Sequence, residues 1–313
     1  MPFEPVILFF LLGLCAGLIR SDLKIPGVLY ESLSIFLLLA IGLKGGVELA
    51  RYPLMELALP GLIVVLVATL IPLTAFPLLH RVGRLPRADA ASIAAHYGSV
   101  SVVTFAVASS FLAARGVSAE GYMVVFLVLL EFPALMIGVA IARRGSASAK
   151  WGPLLHEVFS GKSIVLLLGG LIIGWVAGAD GIKPLDRLFF DLFKGMLALF
   201  LLEMGLVAAG RLADLRRAGP FLLAFATVMP LCAGLLGVVT ANFLDLSVGG
   251  AVLLATLYAS ASYIAAPAAM RIAVPEANPA ISIGAALGIT FPFNLLVGIP
   301  AYHWLAIRLQ GVI

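Results

Sequence analysis

Tyr97-Gly98-Ser99-Val100-Ser101 returns 161 residues later as Tyr258-Ala259-Ser260-Ala261-Ser262, each time inside a stretch otherwise apolar enough to be a membrane helix. Each copy falls about 11 to 14 residues into its span, which at helical rise is near the middle of a bilayer. Glycine and serine are weak helix formers, and serine hydroxyls compete for backbone groups, so both segments are expected to be unwound between two half-helices. Pro267, soon after the second copy, reinforces that break because it has no amide proton. Two crossed, broken helices would aim two electropositive half-helix N-termini at one point, which suits a small anion. Gly98, Ser99, Ser101, Thr104, Ser260, Ala261 and Ser262 are therefore the expected substrate-binding residues. The opposed carbonyl ends suit a cation.

The rest of the chain fits this setting. With 62% hydrophobic residues, 12% charged and a mean hydropathy of +1.14 over 313 residues, it reads as an integral membrane protein. Charged clusters and Pro/Gly turns divide it into ten expected spans at 5–19, 28–50, 54–79, 88–112, 121–142, 163–179, 187–210, 218–243, 247–270 and 280–306. No Lys or Arg precedes the first apolar run, so that run is expected to be a retained span and not a signal peptide. Cys15 and Cys232 fall in expected helices; no disulfide framework follows from them, and Cys15 is read as a buried thiol.

Assigning Lys and Arg to alternate sides puts thirteen on one, from Arg20 to Arg271, and five on the other: Arg51, Arg115, Lys183, Arg187 and Arg308. The positive-inside rule then places the first set in the cytoplasm, with both termini outside, in a multi-pass protein of the cell's inner (plasma) membrane. The net charge of +4 reflects this orientation and lends nucleic-acid binding no support.

Further pieces recur at nearly the same offset. Leu11, Gly13, Leu14, Gly17 and Ile25 match Leu168, Gly170, Leu171, Gly174 and Ile182; Gly42-Leu43 matches Gly205-Leu206; Phe132-Pro133 matches Phe291-Pro292. The expected fold is all-α, with ten transmembrane helices as two five-helix repeats (1–145 and 163–313) joined by a cytoplasmic linker (146–162). Five is odd, so the second repeat enters the membrane inverted.

Lys44, Glu131 and Glu203 lie within spans, where an uncompensated charge costs about 2.5–3.5 kcal/mol at the helix centre. Lys44, among glycines, is expected to face the interior and to pair with Glu131. Asn294, two residues after Pro292, offers an uncharged carbonyl ligand near the repeat-related position, and a sodium site near Glu131 and Asn294 is expected. Glu203 is read as a neutral, hydrogen-bonded carboxyl, and His96 as a packed histidine. No metalloprotease, nucleophile-elbow or phosphate-loop pattern is present in the sequence, so an enzyme gains no support.

Ile41-Gly42-Leu43-Lys44-Gly45-Gly46, Ser99 to Thr104, Glu131 to Leu135, and Ser260-Ala261-Ser262 through Arg271 to Asn278-Pro279 together resemble the sodium-dependent bicarbonate transporter family, as a divergent, non-cyanobacterial member. The resemblance runs from the second span to the end. It implies an inverted five-plus-five fold with a core domain carrying the crossed helices and a gate domain, a homotrimer in the lipid bilayer, elevator-like motion, and bicarbonate moved with sodium. No other cofactor is implied. Where the cyanobacterial type reads Ser-Gly-Ser-Thr, this chain has Ser101-Val102-Val103-Thr104; where it reads Ser-Asp-Ile-Ser, this chain has Ser262-Tyr263-Ile264-Ala265. A threonine of the glycine-rich motif is Lys44 here. The long central insert is absent, which argues against a PII-like regulatory partner. Losing a carboxylate and gaining an ammonium weakens a sodium site and favours an anion. Lys44, Glu131, Tyr263 and Asn294 are thus the expected ion-coupling group, with Lys44 standing in part for the cation. The alternatives are a proton-linked or uncoupled small organic anion transporter, a cation/proton antiporter of similar fold in which Glu131 exchanges protons, and a membrane sensor using the basic linker.

Overall fold

Proline opens the first four helices. Pro5 is the first residue of α1 (Pro5–Leu18), and Pro26, Pro53 and Pro86 immediately precede α2 (Gly27–Leu49), α3 (Leu54–Val82) and α4 (Arg87–Gly98). At these places the missing amide costs nothing, because the first turn has no intrahelical acceptor. The computed structural model describes residues 4–143, 152, 156 and 159–311, and for 212–218 the backbone alone. Of the linker expected at 146–162, only 152, 156 and 159–162 fall within the described residues.

The chain continues as α5 (Val102–Ala113), α6 (Met123–Ala142), α7 (Lys162–Ile182), α8 (Phe193–Arg211), α9 (Gly219–Phe243), α10 (Val248–Ala259), α11 (Ala265–Ala273) and α12 (Pro279–Gln310). Two glycines with positive φ mark boundaries: Gly178 at +65° ends the regular part of α7, and Gly219 at +79° separates α8 from α9. Among the described residues, eight helical stretches are long and apolar enough to cross a bilayer, and α1 and α10 are shorter apolar helices. The count falls below the expected ten because α1 is short and because the 247–270 stretch is two pieces, α10 and α11, neither long enough alone. The expected boundaries otherwise lie within a few residues of those observed.

Two glycine-lined seams hold α1, α2, α7 and α8 together. A Cβ on Gly13 or Gly17 would run into α8 at Leu202 and Ala209, and one on Gly205 would run into Phe10 and Leu14 of α1. On the other seam, a Cβ on Gly42 would lie 2.6 Å from the Leu167 carbonyl, and one on Gly170 would lie 3.0 Å from the Leu39 carbonyl. The backbones touch, which is how membrane helices gain packing energy without a hydrophobic drive between them. The pairs that matched in sequence exchange partners: Gly13 meets the Gly205 segment, while Gly170 meets the Gly42 segment.

The remaining helices surround α4, α5 and α10. The 18-residue apolar window of Arg87–Ala113 is 100% buried, against 33% for α3 and 28% for α7. Leu59, Leu62, Leu66, Leu70 and Leu73 on α3, and Ile172, Ile173 and Val176 on α7, are exposed as a lipid-facing surface. Cys15 and Cys232 are exposed too, correcting the reading of Cys15 as buried. A thiol is apolar enough to sit among hydrocarbon chains without cost.

Replacing Gly42 or Gly205 by leucine is expected to destabilise the protein by about 1–3 kcal/mol through overpacking. Gly169→Ala, at a position with open space around it, is the control. Thermal unfolding of the detergent-solubilised protein checks this: Gly42→Leu and Gly205→Leu melt lower, and Gly169→Ala does not.

Candidate functional site

Helix α4 ends at Gly98 and α5 begins at Val102; between them Ser99 (φ −93°, ψ 161°) and Ser101 (φ −114°, ψ 111°) are extended. Helix α10 ends at Ala259 and Ser260 is extended in nearly the same way (φ −80°, ψ 163°) before α11 starts at Ala265. Both breaks expected from the sequence are present, and they touch. The Ser101 amide donates to Ser260 Oγ at 2.9 Å, and the Ser262 amide donates to the His96 carbonyl at 2.8 Å. Irregular backbone deep in the protein is tolerated because each interruption supplies what the other lacks.

Following the hydroxyl protons sorts the five expected site residues. Ser99 donates to the Glu131 carbonyl at 3.3 Å, Thr104 to Ser101 Oγ at 2.9 Å, and Ser260 to the Leu257 carbonyl at 2.8 Å. Ser101 and Ser262 only accept: Ser101 Oγ from the Thr104 amide at 3.2 Å, and Ser262 Oγ from the Ala266 amide at 3.2 Å. Ser101 caps α5, Ser262 holds the second amide of α11, and neither hydroxyl proton has an acceptor at normal hydrogen-bond geometry among the described residues. Beside them the amides of Val102 and Val103 on α5 and of Ala265 on α11 meet no protein acceptor among the described residues. Val102, Val103 and Ile264 line one gap of about 10 Å³, room for at most about one water. The lining of that gap is apolar, and the two buried half-helix N-termini with their two serines lie beside it.

Gly98 and Ala261 act through size. A Cβ at Gly98 would lie 2.7 Å from that of Ala134 and 2.8 Å from the Pro72 ring, so glycine allows α3, α4 and α6 to converge. Ala261 is buried.

The coupling candidates are dispersed. Glu131 is buried at the break in α6 before Pro133, and its Oε2 has no partner. Lys44 is exposed and lines a cavity; Arg51–Glu48 at 3.0 Å is the one ion pair among the described residues, so the expected Lys44–Glu131 pair does not form. Position decides this, since Lys44 lies close to the end of α2 at Leu49, where its ammonium escapes burial. Asn294 is fully buried and occupied: Nδ2 donates to the Ala259 carbonyl at 2.8 Å, closing the end of α10, and Oδ1 accepts from the Tyr302 hydroxyl at 2.9 Å. The Tyr263 hydroxyl lies against Ser101 without a hydrogen bond of normal geometry. Glu203 Oε2 is buried with no partner, which corrects the expectation that this carboxyl is hydrogen-bonded. His96 is fully buried as expected, its Nδ1 donating to the Ser92 carbonyl at 2.7 Å, with Nε2 left without a partner. No group of three or more His, Cys, Asp or Glu side chains able to hold a metal occurs among the described residues.

Sequence reasoning missed a tyrosine pair and Thr290. Tyr97 donates to Thr290 Oγ1 at 2.6 Å, and Thr290 passes its proton to the Ala226 carbonyl of α9 at 2.7 Å; Tyr258 donates to the Val64 carbonyl of α3 at 2.7 Å. Both tyrosines belong to the repeated motif, and each anchors the helix entering its break to a neighbouring helix. Thr290 was legible: it precedes Phe291-Pro292 as Glu131 precedes Phe132-Pro133, so it, and not Asn294, is the counterpart of Glu131.

A membrane protein with two interrupted helices that meet in its interior, hydroxyls and helix N-termini gathered at the crossing, has the build of carriers for small solutes. The chain matches the Na+-dependent bicarbonate transporter superfamily over residues 5–307, nearly its whole length. It belongs to that family. No curated protein matches it.

Ser260→Ala is expected to cost about 1–3 kcal/mol, because it strands the buried Ser101 amide. Thermal unfolding reads the loss. A variant as stable as the parent would show that the contact between the breaks contributes nothing.

Proposed function

We propose that this protein is a secondary active transporter of a small anion, in the first instance bicarbonate taken up with sodium. The observation that carries the reading is the crossing itself, where the open amides of Val102, Val103 and Ala265 and the hydroxyls of Ser101 and Ser262 gather as donors beside a small apolar-lined gap. Partial positive charge from two helix ends and neutral hydroxyls suit a singly charged oxyanion. Membership of the bicarbonate transporter superfamily supports the choice of substrate and coupling ion.

The partner exchange across the glycine seams supports two inverted five-helix repeats. In this reading α1, α2, α7 and α8 form the gate, and the helices around the crossing form the core. A gap of about 10 Å³ admits no bicarbonate, so transport requires the two bodies to move relative to each other. The homotrimer, the plasma-membrane location and the external termini belong to the same proposal. Sodium would draw on backbone carbonyls at the breaks and on oxygens near Glu131 and Asn294. The unpartnered Glu131 Oε2 favours a second reading, in which a proton on this carboxylate replaces or accompanies sodium.

Labelled-anion uptake into proteoliposomes, with and without an inward sodium gradient, tests both. Bicarbonate accumulation that needs sodium supports the first reading; accumulation driven by a proton gradient, and lost in Glu131→Gln, supports the second. A change of internal pH on adding sodium without bicarbonate would instead establish an antiporter. Ser101→Ala and Ser262→Ala are each expected to lower kcat/KM about ten-fold or more, as loss of a hydrogen bond to a charged group does.

A further inference from the structure

A second cavity, of about 390 Å³, opens between α2, α5, α6 and the start of α8. Its polar lining consists of Lys44, Glu48, Ser109, Ser110, Ser118, Glu120 and Lys194. Ile41 and Ala106 line both this cavity and the small gap at the crossing, so the two spaces adjoin along the seam between α2 and α5.

The carboxylates here are engaged and the ammonium groups are not. Glu48 pairs with Arg51 at 3.0 Å. Glu120 accepts the Ser247 amide at 2.6 Å and the Ser247 hydroxyl at 3.1 Å, which ties it to the first turn of α10. Glu4 accepts a hydrogen bond from the Ser110 hydroxyl and lies within electrostatic reach of Lys194 and Arg115. The Arg115 guanidinium stacks 3.6 Å over the Phe111 ring. The lining sets Lys44 and Lys194 against Glu48 and Glu120, and Arg51, bound to Glu48 at the edge, brings the sum to one positive charge, while Glu4 and Arg115 lie outside the lining. Lys44 has no carboxylate within ion-pair distance, and neither does Lys194. A recess with low-dielectric walls and one net positive charge concentrates anions.

We propose that this cavity is an anion-collecting vestibule for the crossing, in which Lys44 and Lys194 hold the transported anion before it reaches Ser101 and Ser262. The proposal deepens the small-anion reading above and rests on it. It assigns Lys44 to capture at the mouth and not to replacement of a coupling cation at the centre. The lysines belong to α2 and α8, whereas Ser109 and Ser110 belong to α5, so relative motion of these elements changes the vestibule as it changes the gap.

Two readouts test it on the full-length protein after both exposed cysteines, Cys15 and Cys232, are replaced by alanine. In the first, Ser109→Cys reports the local potential through its rates of modification by an anionic and a cationic methanethiosulfonate at low ionic strength. The anionic reagent is expected to be favoured, and Lys44→Met with Lys194→Met to reduce that preference at least about three-fold. In the second, bicarbonate uptake by the double variant without the reporter is expected to show KM raised about five-fold or more, kcat within about two-fold, and a weaker dependence on ionic strength. Lys24→Met, distant in sequence and outside the cavity lining, should leave both readouts unchanged. An unaltered reagent preference overturns the vestibule whatever uptake does, and a lost preference with unchanged KM overturns its part in capture. A lost preference in a protein that transports no anion in any form upholds the charged vestibule and defeats the transport reading alone.

Discussion

Backbone amides and carbonyls inside a membrane must find partners within the protein, and the two interruptions at 99–101 and 260–264 answer that requirement through each other. The Ser101 amide reaches Ser260, the Ser262 amide reaches His96, and Asn294 closes the end of α10 at the Ala259 carbonyl. Neither break could stand alone against hydrocarbon, where each orphaned group costs several kcal/mol. The burial of α4, α5 and α10 follows from this, and so does the sleeve of exposed leucines on α3 and of isoleucine and valine on α7.

The same need governs what the site can offer a solute. Most polar groups at the crossing are consumed in holding it together, including the protons of Ser99, Thr104 and Ser260. What remains is a small donor set at the openings of α5 and α11. Substituting Val102 and Val103 for the residues of the cyanobacterial-type motif leaves these donors in place, since a valine keeps its amide. The side chains change the shape and polarity of the gap, and the backbone keeps its donors.

The glycine seams have a mechanical counterpart. Helices α1, α2, α7 and α8 approach until their backbones touch, which makes a stiff unit with little room for sliding. Both cavities lie along the border of that unit with the remaining helices. A border interrupted by cavities, beside a closely packed body, is where motion costs least.

Much of this was open to reading in the primary structure. Composition settles a membrane protein, the repeated serine motif settles where two helices break, and the ordered glycine matches foreshadow which helices touch. Thr290 was readable from its place before Phe291-Pro292. Other features depend on where side chains end up in three dimensions. Lys44 and Glu131 both lie within expected spans, and only the fold separates them, one in a vestibule and the other sealed at the break in α6. Which serine protons remain free was likewise beyond the linear chain, because five similar hydroxyls differ only in the acceptors that distant residues bring to them. A sequence encodes local conformation through propensity and hydropathy; the pairing of polar groups in a medium without water is decided by tertiary contacts.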